Sequence, residues 1–166
     1  PISRAVTRSL AVRCAGEVYA FPSLRIDRVV RSERAAVVSA EGLQYLPVHG
    51  RNVGLVPLAE LLDLGSTRVG GERIDVVMVE HQGRMAGFVV DELLGEYDLA
   101  TRPLDPRLGR VADVGAVALL PDGTPVVLLD ADDLMRSALT RERASLSTAR
   151  VEAADPQRRK RVLIAD

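Results

Sequence analysis

Apolar residues in this chain fall into short runs, cut every few positions by Gly, Pro or Asp. Ser9-Leu10-Ala11-Val12-Arg13-Cys14 alternates, meets a turn at Ala15-Gly16-Glu17, and resumes as Val18-Tyr19-Ala20-Phe21 before Pro22. A period of two around a tight turn is the signature of a half-buried hairpin. Ile26 to Arg31 reads as a further strand. Leu46-Pro47-Val48 and Val53-Gly54-Leu55-Val56 flank a turn at His49-Gly50-Arg51-Asn52. Asp75 to Glu80 and Met85 to Val90 flank another at His81-Gln82-Gly83-Arg84, and Val117 to Leu120 and Pro125 to Leu129 flank Asp122-Gly123, which reads as a type I′ turn. Many short strands separated by turns specify an all-β barrel or sandwich.

Set side by side, the hairpins suggest an internal repeat. Gly16-Glu17-Val18-Tyr19-Ala20-Phe21 returns 67 residues later as Gly83-Arg84-Met85-Ala86-Gly87-Phe88. Gly50 with Leu55-Val56-Pro57 and Leu61 returns 73 residues later as Gly123 with Leu128-Leu129-Asp130 and Leu134. Two copies of about seventy residues imply two small barrels on one core, spanning about 10–68 and 72–136, with Gly50 and Gly123 in equivalent turns; the alternative is that hairpins simply look alike. Leu58 to Leu62 reads as a short helical turn, and Asp130 to Ser145 as a helix with Asp132 and Asp133 favouring its N-terminal dipole. Apolar content thins from about Ser137, so 137–160 reads as helix end and linker. Arg161 to Asp166 reads as the start of a new buried strand.

Valine supplies 23 of 166 residues and aromatics only five, so the core must be aliphatic. Val12, Tyr19, Phe21, Val77, Val79, Phe88, Val90 and Leu128 are its expected members. Lys plus Arg at 22 against 23 acidic residues gives a net charge of −1, which argues against nucleic-acid binding. No apolar run approaches the ~20 residues of a membrane span, so no direct membrane insertion is expected.

Candidate chemistry is sparse. His49 and His81 sit in turns and read as solvated. Cys14, the single cysteine, reads as a small buried hydrophobe. Asp130, Asp132 and Asp133 lack the spacing of a calcium loop and fit a helix cap better. Gly70-Gly71 is not followed by Lys-Ser/Thr, so it makes no phosphate loop. No catalytic, cofactor or metal site can be assembled, although a small hydrolase or ligand-binding barrel is the enzyme alternative.

Several segments together resemble the CheW-like domain of bacterial chemotaxis, in the form found at the C-terminus of the histidine kinase CheA. They are Val18-Tyr19-Ala20-Phe21-Pro22, Gly50 to Leu58 with Leu61 to Gly65, and, most specific, Gly87-Phe88-Val89-Val90-Asp91-Glu92-Leu93-Leu94-Gly95-Glu96 ending in Arg102-Pro103-Leu104. Gly54 departs from the family's usual Pro. Pro1 to Ala5 resembles the junction with the kinase's ATPase domain, and 161–166 resembles the first strand of a receiver, as in a hybrid kinase. An adaptor of the CheV type, which also carries a receiver, is the runner-up.

The resemblance implies two five-stranded SH3-like barrels on a shared core, with short helices and a C-terminal helix, all within a CheW-like domain at 1–136. It implies a non-catalytic scaffold that binds no cofactor. Its expected partners are a CheW-type adaptor, chemoreceptor cytoplasmic tips and kinase domains of the same chain, in the cytoplasm at receptor arrays. Ile26, Val29 and Leu93 fall where the family faces the receptor, and Val48, Arg51 and Val53 on a hairpin that docks the adaptor. Burial in the core is the alternative for Ile26, Val29 and Leu93.

Overall fold

Four strands carry apolar residues on both faces, and that property organises the molecule. In the computed structural model, which describes residues 5–65, 71–109 and 111–154 (from 145 on, side chains only at Leu146), they are β1 (Ala5–Cys14), β2 (Glu17–Pro22), β7 (Arg73–His81) and β8 (Arg84–Val90). Along β2, Val18 and Ala20 point into one cluster of buried side chains while Tyr19 and Phe21 point into another. Along β7, Val76 and Met78 face one cluster and Val77 and Val79 a second. Each strand therefore lies between the interior of its own sheet and a core common to both sheets. A strand buried on two faces loses its alternation.

The remaining strands are β3 (Ile26–Glu33), β4 (Val38–Ala40), β5 (Leu43–Val48), β6 (Arg51–Pro57), β9 (Glu92–Pro103), β10 (Val114–Leu119) and β11 (Pro125–Leu129). One sheet closes as the barrel β1-β2-β11-β10-β9; the other is six-stranded, in the order β3-β7-β8-β6-β5-β4. The fold is thus β, with two short 3-10 turns between its early strands, a short α1 (Leu58–Leu61) and a long C-terminal α2 (Ala131–Ala154).

The two sheets are not consecutive halves of the chain, which corrects the bounds 10–68 and 72–136. β3 to β8 form the second sheet, inserted between the second and third strands of the closed barrel. The repeat itself is real in the pairings. β11 runs parallel to β2 with Val127 opposite Tyr19 and Leu128 opposite Ala20. β6 runs parallel to β8 with Gly54 opposite Ala86 and Leu55 opposite Gly87. These are the same positions displaced by the two repeat intervals. Each copy's first hairpin pairs with the second hairpin of the other copy, so the copies are interlocked rather than side by side. The second sheet also has six strands where five were expected. Its counterpart of the unbroken β9 is interrupted by a 3-10 turn at Arg34–Ala36 and splits into β3 and β4.

Turn chemistry separates the hairpins. Ala15-Gly16, Glu41-Gly42, His49-Gly50 and Gln82-Gly83 each have positive φ at both central residues, as type I′ turns require. At Asp122-Gly123 only Gly123 does. Instead the Thr124 amide donates to Asp122 Oδ1 at 2.9 Å and the Leu120 amide to the Thr124 carbonyl at 2.8 Å. Gly50 and Gly123 therefore occupy different turns, contrary to the expected equivalence.

The common core holds all the expected residues except Leu128, which is buried inside the closed barrel. At its centre the rings of Phe21 and Phe88 lie 5.9 Å apart, tilted by 38°. Leu58 and Ala59 of α1 and Leu134, Met135 and Ala138 of α2 cover it. Asp130 caps α2, accepting the Asp133 amide at 3.1 Å, as its spacing suggested. Burial pushes the Asp113 carboxyl up, against the Ser137 hydroxyl that donates to it at 2.7 Å. The helix continues to Ala154, past the expected end at Ser145. Neither Gly nor Pro interrupts that stretch, and Arg, Glu and Ala favour helix enough to outweigh its Ser and Thr. Residues 155–166, including the receiver-like strand, lie outside the described residues, as does Gly70 of the Gly-Gly pair.

A candidate docking face between the sheets

Where the chain crosses from one sheet to the other it places two apolar side chains in related positions. β3 follows β2 and pairs with β7; β9 follows β8 and pairs with β1. Ile26 sits opposite Val79, and Leu93 opposite Val12, one repeat interval apart. Both strands bulge at the next residue: the register slips past Asp27 in β3 and past Leu94 in β9. A bulge turns the following side chains to the other face. Leu93 packs on the common core, while Leu94 enters the closed barrel and so, beyond the bulge and an odd number of residues further on, do Tyr97 and Leu99.

Ile26 and Leu93 are half-buried against the common core, so each combines a structural role with an exposed margin. Val29 lies opposite Val77 and is 41% exposed. Leu24, in the 3-10 turn Ser23–Arg25 between β2 and β3, is 97% exposed. It carried no sequence signal, because one apolar residue in a turn has no period to betray it. Exposed apolar residues on a soluble domain commonly mark a partner site.

The face is bounded by charge. Arg8 of β1 reaches Glu96 and Asp98 of β9 at 3.2 and 3.3 Å. Arg31 of β3 reaches Asp75 of β7 at 2.8 Å. The Arg8–Asp98 and Asp75–Arg31 pairs occupy related positions with their signs exchanged. Arg25, beside Leu24, binds Asp132 of α2 at 2.5 Å, and His81 Nδ1 stands 3.0 Å from the same carboxylate. His81 is therefore half-buried in an ion cluster, not a solvated turn residue as expected. The Arg25 guanidinium holds the Asp132 carboxyl below the usual range. The cluster ties the crossing, the end of β7 and the start of α2 together.

The β5–β6 hairpin divides the other three candidates. Val53 is 4% exposed inside the second sheet's own core and presents nothing to a partner, which corrects its assignment. Val48 is half-buried against the same core. Only Arg51 is exposed. The alternation of β6 could have said so, since Val53 and Leu55 share a face.

Cys14 is buried, and desolvation pushes its thiol up to about 11, well above neutral pH. Among the described residues no three His, Cys, Asp or Glu side chains stand close enough to hold a metal ion, and no helix is long and apolar enough to cross a membrane.

The structure is an interlocked pair of small β units around one core, with apolar residues exposed where the chain crosses between them. Residues 8–139 match the CheW-like domain family, and the chain belongs to that family. It is similar to the chemotaxis protein CheA of Salmonella typhimurium, 27% identical over 90% of this chain and 22% of that protein. It is also similar to the gliding motility regulatory protein of Myxococcus xanthus, 30% identical over 100% of this chain and 21% of that one. The chain thus spans about a fifth of the length of these curated relatives. The solved scaffolding protein TtCheW from Thermoanaerobacter tengcongensis matches 76% of this chain and 90% of its own, at a TM-score of 0.62 and 17% identity, and shares the fold of two SH3-like barrels. A CheW-like domain of this kind is a non-catalytic scaffold of chemotaxis proteins.

Proposed function

We propose that this domain is the docking module of a CheA-type histidine kinase, binding a CheW-type adaptor and the cytoplasmic tips of chemoreceptors and passing their state to kinase domains of the same longer chain. It would work in the cytoplasm, at receptor arrays. The supporting observation is the related pair Ile26 and Leu93 at the common core's margin, with Val29 and Leu24 exposed nearby. Arg161 to Asp166 fits the start of a receiver on that same kinase. The domain itself turns over no ATP on this reading.

A purified domain mixed with CheW and receptor cytoplasmic fragments tests the proposal. A carboxylate in a desolvated interface costs about 2–5 kcal/mol unless it is paired. Val29→Glu, exposed and so compatible with folding, is expected to weaken binding at least tenfold. Ile26→Glu and Leu93→Glu act on binding and on the core together, so their melts are read by circular dichroism beside it. Unchanged binding by a folded Val29→Glu domain would remove this face from the assignment.

A further inference from the structure

The two crossings between the sheets occupy related positions and are held by different means. At the crossing from β8 to β9, Asp91 is pinned to the β1–β2 hairpin. Its amide donates to the Arg13 carbonyl at 3.0 Å, and its carboxylate accepts the Ala15 amide at 2.9 Å. One repeat interval earlier, at the crossing from β2 to β3, the residue is Leu24, which has no carboxylate to accept such a bond. That turn is tied down by the neighbouring side chain, Arg25, through Asp132 of α2. The positions related to Arg25, His81 and Asp132 are Glu92, Cys14 and Ala59, so the shared pairing scheme does not require an ionic cluster here.

His81 Nδ1 stands 3.0 Å from Arg25 Nη2 and 3.0 Å from Asp132 Oδ1, and Arg25 Nη2 lies 2.5 Å from that same oxygen. Nη2 carries two hydrogens, so beside a neutral imidazole it donates one to Asp132 and the other to the Nδ1 lone pair. A proton on Nδ1 reverses one side of this triangle. The ring then donates to Asp132, can no longer accept from Arg25, and sets a second cation at hydrogen-bond distance from the first. Imidazole is the side chain whose ordinary titration falls between about pH 5 and 8. Asp132, held low by the Arg25 hydrogen bond, stays ionised over that range.

The other charges nearby do not relieve the conflict. Arg84 of β8 lies opposite His81 in the β7–β8 hairpin and adds to the repulsion. Arg136, one turn along α2, is paired with Asp133 at 3.0 Å, and Asp27 of β3 with Arg28 at 2.9 Å. Glu80, beside His81 in β7, points to the opposite face of the strand.

We propose that His81 is a proton-operated release for this crossing: its protonation displaces Arg25 from the cluster and frees the turn that carries Leu24, so that docking at this face weakens as pH falls. The regulatory half rests on the docking assignment above; the release itself does not.

Amide hydrogen exchange of the free domain tests the release. The Ile26 amide closes the turn by donating to the Ser23 carbonyl. Its protection factor, taken relative to Val77 in a strand paired on both sides, is expected to fall about fivefold or more from about pH 8 to about pH 5.5. His81→Asn keeps an acceptor near the place of Nδ1 and cannot be protonated, so it is expected to hold that ratio steady. His49→Asn, at the chain's other histidine, should behave as the parent does. Arg25→Gln should leave the turn poorly protected at both values. The release is overturned by an unchanged ratio in the parent, by His81→Asn keeping the parent's pH dependence, or by Arg25→Gln protecting the turn as well as the parent at the higher pH. Binding of CheW is expected to weaken severalfold over the same range for the parent and to stay level for His81→Asn. Equal binding by the parent at both values, with the exchange change present, overturns the regulatory half. No binding by the parent at either value overturns the docking assignment, and the exchange data still decide the release.

Discussion

The closed barrel and the six-stranded sheet share one pairing scheme, down to the bulge after Leu93 and after Ile26, yet they solve its packing differently. One is sealed by a single long strand, β9, which pairs with β1 and then β10. The other reaches its two edges with separate strands, β3 and β4, joined through a 3-10 turn. The closed barrel puts Ala20 where the other sheet has Gly87, and Tyr19 and Val127 where the other has Ala86 and Gly54. Backbone register is thus fixed by the pairing, while the side-chain volume on each face is free to differ.

The sharpest test asks whether the two units can be separated at all. Phe21 and Phe88 are both fully buried, occupy related positions and meet in the common core. Truncating either to Ala is expected to cost about 3–5 kcal/mol, with the double mutant less destabilised than the sum because the rings share a cavity. Urea unfolding should remain a single transition in every variant. Two transitions, with Phe21→Ala shifting only one, would show two independent barrels instead of interlocked ones.

Next in size is the glycine inside the second sheet. A Cβ at Gly87 would stand 2.8 Å from both Leu55 Cδ2 and Val76 Cγ1. Gly87→Ala is therefore expected to destabilise by about 1–3 kcal/mol through overpacking. The mirror change, Ala20→Gly in the closed barrel, should cost about 0.5–1 kcal/mol from backbone entropy. Equal melting shifts for the two would mean that the interiors do not differ as the structure shows.

Sequence reasoning reached the hairpins, the buried aromatic pair and the repeat because each rests on local periodicity. It missed β9 as a strand, although that strand carries the most specific family residues. The bulge at Leu94 shifts the phase midway: Leu94 shares a face with Tyr97 and Leu99, an odd number of residues on, and only Leu99 and Thr101 resume a buried alternation beyond. It also laid the copies end to end. A repeat says which segments are alike, and pairing within or between copies leaves the same local pattern. Ile26 and Leu93 were named from the family resemblance, and the repeat interval relates them to each other. Val53 was misplaced because its hairpin was judged as a whole rather than face by face.

The Arg25–Asp132 link, which ties α2 to the crossing after β2, gives a smaller effect that depends on pH. Asp132 is held below its ordinary value chiefly by the Arg25 hydrogen bond. A lowered carboxyl contributes stability that is complete above its unfolded value, about 3.9, and is lost as pH falls through the lowered folded value. Asp132→Asn should melt below the parent at neutral pH, and the two curves should converge in strong acid. A gap that persists undiminished at low pH would mean that the side chain acts through packing rather than charge.

Smallest are the exchanged ion pairs. Arg8 and Asp98 are both more than half exposed, whereas Arg31 pairs with an Asp75 side chain only 12% exposed. Exposed pairs are weak because water screens them and two long side chains must be held in one geometry. A less exposed carboxylate suffers less of that screening. A double-mutant cycle on Arg31 and Asp75 should therefore show the larger coupling, and one on Arg8 and Asp98 the smaller. Both should fade in 1 M salt, where the Debye length is about 3 Å. Exchanging signs within one sheet, Asp75→Arg with Arg31→Asp, places in the second sheet the order found in the first. If register depends on backbone pairing alone, that double exchange should melt within the spread of the single neutral variants. A much larger loss would show that the order of charges, and not only the hydrogen-bond ladder, helps decide which strand β3 joins.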